Sequence, residues 1–174
     1  MSTQKTAQQL SDSLIDLHGR SKTLMMATQT EDATPHISYS PYALLNGKYY
    51  VFLSALAEHT RHLTERPQAS IMLIEDEQDT RNLYARARLS WVAQARVIAR
   101  EATLFNQAIE QLKARTGATI DLLVSLNDFD LFELTPQHGR LVLGFGQAYQ
   151  IKPEDLIAIM AHEKAINLTH ITTQ

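Results

Sequence analysis

The chain reads Ser54-Ala-Leu-Ala-Glu-His-Thr-Arg-His-Leu63 and, after three further residues, Pro67-Gln-Ala-Ser-Ile-Met-Leu-Ile-Glu-Asp76. The pattern predicts a strand that ends at Ser54, a short helix over 55–65 and a buried strand over 69–74. Hydroxyl, imidazole and guanidinium groups then lie at the start of the helix, where unpaired backbone N–H groups and the helix dipole favour an anion. The segment therefore predicts either one wall of a site for an anionic cofactor or a solvated helix that caps a barrel.

The composition excludes several classes of protein. The chain has 174 residues, a net charge of −3 and no cysteine, so disulfides, Cys-based zinc sites and thiolate haem ligation are excluded. No run of Lys or Arg favours nucleic-acid binding, and no apolar run reaches the length of a membrane span. The N-terminus lacks the apolar core of a secretion signal. These features predict a cytoplasmic protein without a nucleic-acid or membrane partner.

Apolar periodicity predicts alternating helices and strands. A helix is expected over 5–18 with Gly19 as its stop, and strands over 23–28, 36–41 and 48–54. Asn46-Gly47 precedes the last of these strands and predicts a tight hairpin, because both central residues of a type I′ turn need positive φ.

The second half continues in the same way. A long strand is expected over 85–99, helices over 101–116 and 120–126, and a second hairpin around 137–139 that joins 131–136 to 140–147. Pro153 begins a final helix, and 164–174 form a C-terminal tail. Residues 1–174 are therefore predicted to form a single domain, mainly β with helices (α+β): an antiparallel β-barrel with peripheral helices.

Two glycines flank Phe145 within the last predicted strand. Such a Gly-Phe-Gly block marks either a barrel corner or a wall that lets a flat cofactor come near.

Several stretches resemble a known superfamily. The segments 54–63 and 67–74 resemble the FMN-binding split-barrel superfamily that includes pyridoxamine phosphate oxidase. The HugZ/HutZ branch of haem-degrading proteins is similar in three further stretches: Leu83-Tyr-Ala-Arg-Ala-Arg-Leu-Ser90, Asp128-Phe-Asp-Leu-Phe-Glu-Leu-Thr-Pro136 and Gly139-Arg-Leu-Val-Leu-Gly-Phe-Gly-Gln-Ala-Tyr149. The resemblance extends from about residue 20 to about residue 160.

The resemblance implies a homodimer of split barrels with cofactor sites at the subunit interface. It implies haem held by a histidine of the C-terminal tail, and oxidative opening of the porphyrin with O₂ and an external electron donor. The released iron would serve iron acquisition. A long strand whose Trp91 needs cover fits the expected dimer.

Five residues are candidates for contacts with haem. Arg86 and Arg88 lie two apart on the predicted strand and suit the two propionates, unless they are surface charges near acidic residues. The family's Gly-His-Arg ligand motif is missing, so His170 in the tail is the favoured iron ligand and His162, within the final predicted helix, is the alternative. Asp128 occupies the motif position of a carboxylate that accepts the other ring N–H of the ligand, or it simply forms a turn.

The histidines near the opening segment allow other interpretations. His59 falls on the family's loop histidine, where it shapes the site or caps the helix. His59 and His62 lie three apart and could bind a divalent metal, but the sequence offers no third ligand. His18, His36 and His138 have no partner that the sequence identifies.

Two alternatives to a haem-degrading oxidoreductase remain open. One is an FMN-dependent oxidoreductase in which Ser54, Thr60 and Arg61 hold the flavin phosphate. The other is a non-catalytic haem carrier or buffer. No phosphate-loop, nucleophile-elbow or paired-carboxylate signature supports a kinase or a hydrolase.

Overall fold

The computed structural model describes residues 5–162 and 168–171. Within these residues the chain forms one curled antiparallel sheet and five helices, with a single 3₁₀ turn at Leu83–Ala85. The helices are α1 (Ala7–Arg20), α2 (Glu58–Glu65), α3 (Thr103–Thr116), α4 (Thr119–Ser125) and α5 (Pro153–Met160). The strands are β1 (Thr23–Gln29), β2 (Pro35–Pro41), β3 (Ala43–Leu45), β4 (Lys48–Ser54), β5 (Gln68–Ile74), β6 (Arg88–Ile98), β7 (Phe129–Val142), β8 (Ala148–Ile151) and β9 (Thr169–His170).

The sheet is organised around β7. Its strand order is β2-β1-β5-β6-β7-β4-β3, with β8 added on β7 and β9 added on β8. β4 pairs with the first half of β7 and β8 pairs with the last residues of β7, while β6 follows β7 along nearly its whole length. The chain is therefore mainly β with helices and has the curled antiparallel sheet of a split barrel, as predicted.

Two apolar clusters cover the two faces of the sheet. The larger cluster encloses Trp91 and Tyr49, and the leucines of α1 at positions 10, 14 and 17 pack against it. The smaller cluster lies under α3, whose Phe105 packs edge-on against Phe52 of β4. Trp91 is only 2% exposed within the single chain, so it needs no cover from a second copy.

Most predicted elements are confirmed within one or two residues. Asn46 and Gly47 have φ values of 51° and 72° and turn β3 into β4, as a type I′ hairpin requires. Gly117 ends α3 with a φ of 85°. The helix α1 passes Gly19 and ends at Arg20 with Ser21 as its C-cap, so the predicted stop is two residues early.

The predicted second hairpin around 137–139 is wrong. β7 runs without interruption from Phe129 to Val142 and accommodates the extra residue Gln137 as a bulge, because Val92 pairs with His138 and Ala93 with Pro136. The reversal comes later, between β7 and β8, where Gly144 (φ 145°) and Gly146 (φ 64°) form the turn. The Gly-Phe-Gly block is therefore a turn and not the interior of a strand.

Three predicted placements of site residues also need correction. β6 begins at Arg88, and Arg86 follows the 3₁₀ turn that the Asn82 side chain caps, so the two arginines do not share a strand. His162 lies beyond the end of α5, with a φ of 56°. His170 belongs to β9, which pairs with β8.

The faces of β2 are reversed relative to a simple amphipathic strand. Ile37 and Tyr39 are 72% and 69% exposed, whereas Ser40 is buried.

Of the helices in the described ranges, none combines the length and apolar character needed to cross a bilayer.

Candidate functional site

Two of the predicted site residues, Arg88 and His170, lie towards the same end of the sheet, on strands that β7 and β8 separate. Arg88 pairs with Val142, Val142 pairs with Ala148, and the carbonyl of Ala148 accepts a hydrogen bond from the N–H of Ile171. His170 itself pairs with Tyr149, Tyr149 with Leu141 and Leu141 with Leu89, so His170 lies in the row next to that of Arg88, on the outermost strand. The glycine turn between β7 and β8 lies beside both residues.

His170 is held by one backbone contact and one ring contact. Its Nε2 lies 2.7 Å from the carbonyl oxygen of Gly146, and its ring packs edge-on against Tyr149 with centroids 5.3 Å apart. A carbonyl only accepts, so Nε2 carries a proton, and in the neutral form of the ring Nδ1 is the nitrogen with the lone pair. Within the described ranges the buried hydroxyl of Tyr149 has no hydrogen-bond partner. The neutral imidazole is the form that binds a metal.

Arg86 and Arg88 lie in the loop and strand that face this turn. Arg86 donates through Nε to the carbonyl of Glu75 over 2.9 Å, and its Nη1 lies 3.1 Å from the carboxylate of Glu77. Arg88 donates to the carbonyl of Arg86 over 3.1 Å. Arg86 thus has an acidic partner already, as the surface-charge interpretation expects, while Arg88 has a backbone partner.

A cavity of about 710 Å³ opens beside this end of the sheet. α1, β1, β5 and the segment before β6 line the cavity, which includes Arg86 and, from the other side, Leu143 next to the glycine turn. Its volume lies in the range of cofactor and small-ligand sites. Its wall carries both signs of charge, with Arg20 and Lys22 opposite Asp76 and Asp79.

The start of α2 is built differently from a phosphate cradle. The Thr60 hydroxyl donates to the Ser54 carbonyl over 2.6 Å, and the Ser54 hydroxyl accepts from the N–H of Leu56 over 3.2 Å. Both hydroxyls therefore stabilise the turn. The first turn of α2 carries the Glu58 carboxylate, which lies 3.1 Å from His36, while Arg61 is exposed.

His59 is partly buried in the same region. Burial, followed by the neighbouring His36 and His62 rings, lowers the pKa of His59. Its side chain is therefore neutral near pH 7.

Asp128 lies far from His170 within one chain. It directly precedes β7 and is exposed, and its carbonyl accepts from the N–H of Ala55 over 2.6 Å. His170 is bound to β8 at the opposite end of β7, whose 14 residues separate the two sites. An extended strand of that length spans roughly 40 Å. A single chain therefore cannot join the Asp128 carboxylate to the His170 ring.

Sequence reasoning missed two buried polar clusters. In the first, His62 of α2 packs against His36 and Thr28 of the β1–β2 pair. In the second, His18 lies 2.8 Å from the hydroxyl of Tyr49, which also accepts from Trp91 over 3.1 Å. Thr28 and His36 are direct cross-strand partners, so correct strand pairing was the signal that could have revealed the first cluster. Across the described ranges no set of three or more His, Asp or Glu side chains is arranged to hold a metal ion.

Comparison with known proteins gives consistent results. Residues 10–143 match the family model of pyridoxamine 5′-phosphate oxidase. The haem oxygenase HutZ of Vibrio cholerae serotype O1 is 44% identical over 136 residues, which cover 78% of this chain and 77% of that protein.

Solved structures agree with this result. The crystal structure of HutZ from Vibrio cholerae, described there as a haem storage protein, superposes with a TM-score of 0.73 and 38% identity over 77% of this chain and 96% of HutZ. Campylobacter jejuni ChuZ superposes with a TM-score of 0.81 and 25% identity over 98% of this chain and 65% of ChuZ.

Proposed function

The chain belongs to the pyridoxamine 5′-phosphate oxidase family, and we propose that it binds haem and degrades it oxidatively, with O₂ and an external electron donor, to release iron. The similarity to a haem oxygenase over most of both chains supports this proposal. The observation that carries it is the position of His170, an imidazole held at the glycine turn that follows Leu143, which is a residue of the cavity wall.

The residues around His170 fit a flat prosthetic group. Gly144 and Gly146 have no heavy atom within 4 Å of the position of an added Cβ, so the turn leaves open space next to the ring. The Nδ1 lone pair of His170 is available to iron once the ring turns from Gly146. Arg88 would bind one propionate by charge-assisted hydrogen bonds, and Arg86 would bind the other once it releases the Glu77 carboxylate.

Bound haem supplies the redox chemistry of its iron. The task of the chain is to hold and orient it. His170 would ligate the haem iron, and Arg86 and Arg88 would hold the propionates and so orient the group. Asp128 accepts the second ring N–H of the ligand, which fixes the tautomer of His170 and makes the ring a stronger donor. His162, just past α5, is the alternative ligand.

The proposed site needs two copies of the chain. Asp128 and His170 lie at opposite ends of β7, so one carboxylate and one imidazole come together only across an interface. The exposed apolar side chains of Ile37 and Tyr39 on the edge strand β2 support such an interface. We therefore propose a homodimer with composite haem sites.

Haem is favoured over FMN by the start of α2. A flavin phosphate needs open N–H groups and hydroxyls, whereas Ser54 and Thr60 use their hydroxyls in the turn. The Glu58 carboxylate also places a negative charge in the first helical turn, where it repels a phosphate. The residues of this unfavourable phosphate subsite are Ser54, Thr60 and Arg61.

Haem storage without turnover is the second candidate. It is favoured by the crystal structure of HutZ that is described as a haem storage protein. The two candidates share the binding site and differ only in the fate of the porphyrin.

Aerobic turnover tests the proposal. The chain is loaded with ferric haem, and ascorbate is added in air and, in parallel, under nitrogen. We expect loss of the Soret band only in air, a bile-pigment product, and ferrous iron trapped by a chromophoric chelator. A Soret band that persists in air identifies a storage protein, and a purified chain that carries FMN and ignores haem contradicts both candidates.

A further inference from the structure

Two imidazoles meet where α2 packs on the β1–β2 pair. His62 of α2 is 1% exposed and His36 of β2 is partly buried. Their ring centroids are 5.1 Å apart and the rings cross at 76°. Neither residue belongs to the proposed haem site, which lies at the β7–β8 turn.

Each ring has one nitrogen fixed by an oxygen. His62 Nδ1 lies 3.0 Å from the hydroxyl of Thr28, and His36 Nε2 lies 3.1 Å from the carboxylate of Glu58. Thr28 and His36 are direct cross-strand partners, so the sheet itself sets the position of both the hydroxyl and the second ring.

The opposite nitrogen of each ring is buried and unpaired. His62 Nε2 and His36 Nδ1 are both inaccessible to solvent and have no hydrogen-bond partner among residues 5–162 and 168–171. A buried polar atom without a partner costs about 1–3 kcal/mol, so two such atoms on contacting rings require a physical explanation.

A metal ion explains both atoms. Metal-binding imidazoles typically donate one ring N–H to a carboxylate, hydroxyl or carbonyl and bind the ion through the other nitrogen. Glu58 leaves the lone pair of His36 on Nδ1, and Thr28 does the same for His62 when its hydroxyl accepts from Nδ1–H. Two imidazoles that share one ion at about 2.1 Å have ring centroids roughly 5 Å apart, as these rings do.

We propose that His36 and His62 bind a divalent transition-metal ion of the class of Zn²⁺ or Fe²⁺. Imidazole donors select this class over Mg²⁺ and Ca²⁺, which prefer oxygen ligands. Among the described residues no third side chain completes the group, so the protein supplies two ligands. The site is therefore expected to bind the ion more weakly than a closed four-ligand zinc site.

Zinc binding to the haem-free full-length chain tests this proposal. The chain is stripped of metal, and Zn²⁺ is titrated in competition with a chromophoric chelator. We expect one Zn²⁺ per chain with wild type and loss of that site in His36→Gln and His62→Gln. Thr28→Val keeps both ligands but removes the oxygen that orients His62, and we expect its affinity to fall about tenfold.

His138→Gln is the matched control, because His138 is an exposed histidine on β7. It should bind Zn²⁺ like wild type. His36 is partly exposed and can be replaced with little loss of packing, so His36→Gln remains informative if His62→Gln does not fold. Wild type that binds no Zn²⁺, or that binds it as tightly as His36→Gln does, overturns the proposal.

Discussion

At the scale of single residues, buried titratable side chains decide how the fold responds to acid. His18 is buried between α1 and Tyr49, with Nδ1 2.8 Å from the carbonyl of Leu14 and Nε2 2.8 Å from the Tyr49 hydroxyl. Burial lowers the pKa of His18 to about 4, against the weaker opposing effect of the Leu14 carbonyl. The native state therefore holds this ring neutral where the unfolded chain begins to protonate it.

His18 predicts a loss of stability in mild acid. Because the pKa of His18 is lower in the folded chain than in the unfolded chain, the unfolded chain binds more protons between pH 6.5 and about 4. The free energy of unfolding should fall across that window by up to about 3 kcal/mol from this residue. In urea unfolding, the difference between wild type and His18→Gln should shrink as the pH falls from 6.5 to 4. Parallel curves would show that His18 is not the group responsible.

The pKa of Glu133 is also lowered in the folded chain, and it affects stability in a lower pH window than His18. Burial alone raises the pKa of this carboxylate, but hydrogen bonds from Arg96, Lys48 and Tyr50 outweigh burial and hold the pKa at about 2. A depressed carboxyl pKa stabilises the fold above the unfolded value of 4.5, and this stability is lost as the pH falls from 4.5 towards 2.

Glu133→Gln tests this network. The variant leaves the Arg96 guanidinium and the Lys48 ammonium without their anion, so its free energy of unfolding at pH 7 should be about 2 kcal/mol below wild type. The gap should narrow at pH 3, where the Glu133 carboxyl of the unfolded wild-type chain is protonated while the folded chain still holds it ionised, so much of its stabilising effect is lost. A gap of constant size between pH 7 and pH 3 would contradict the assignment.

The sequence alone could not reveal the buried hydrogen-bond partners of His18 and Glu133. His18 occupies a helical position that periodicity assigns to the core, yet its partner Tyr49 is 31 residues away on another element. Glu133 alternates correctly with its neighbours on β7, and only the pairing of β4, β6 and β7 brings its two cations, Lys48 and Arg96, and the Tyr50 hydroxyl together. Local patterns identify faces of elements, whereas long-range partners depend on how the sheet is paired.

At the scale of elements, β7 is the strand with which β4, β6 and β8 all pair. It is also where the prediction of a hairpin around 137–139 failed. Pro136-Gln-His-Gly139 has the composition of a turn, and sequence reasoning therefore divided the strand there. The bulge at Gln137 absorbs the extra residue without reversing the chain. Asn46-Gly47 was predictable because its turn type requires positive φ at both residues, which few other residue pairs provide.

Gly139 tests the packing of β7. A Cβ at this position would lie 2.4 Å from the Trp91 ring and 2.7 Å from Ile151, so Gly139→Ala forces the buried ring to shift. We expect a free energy of unfolding lower by about 2 kcal/mol, measured by urea unfolding. Gly19→Ala is the matched control: it lies on the exposed side of α1 with no atom within 4 Å, and it should raise stability by about 0.5–1 kcal/mol. Equal effects at both glycines would contradict the packing argument.

At the scale of the whole molecule, the candidate site is divided between distant parts of the chain. The sequence predicted His170, Arg88 and Asp128 as members of one site, and the structure brings His170 and Arg88 to one end of the sheet and leaves Asp128 at the other. The hydrophobic periodicity of one chain cannot predict which residues meet across an interface with a second copy of the chain. The composite site thus remains a proposal for the dimer.

Mixed dimers test the composite site. When His170→Ala and Asp128→Asn chains are co-expressed, each mixed dimer has one site with both wild-type residues and one with neither. Random assembly restores about a quarter of the wild-type sites, so haem turnover should recover to about a quarter of the wild-type rate while each single variant stays low. No recovery in verified mixed dimers would place both residues in the same chain or exclude Asp128.

The most direct test of the account is a haem titration of the purified chain followed at the Soret band. Wild type should bind one haem per chain and contain no flavin, His162→Ala should match it, and His170→Ala should show a shifted Soret band and at least about tenfold weaker binding. A His170→Ala spectrum identical to that of wild type, or a wild-type chain that ignores haem and carries FMN, would contradict the account.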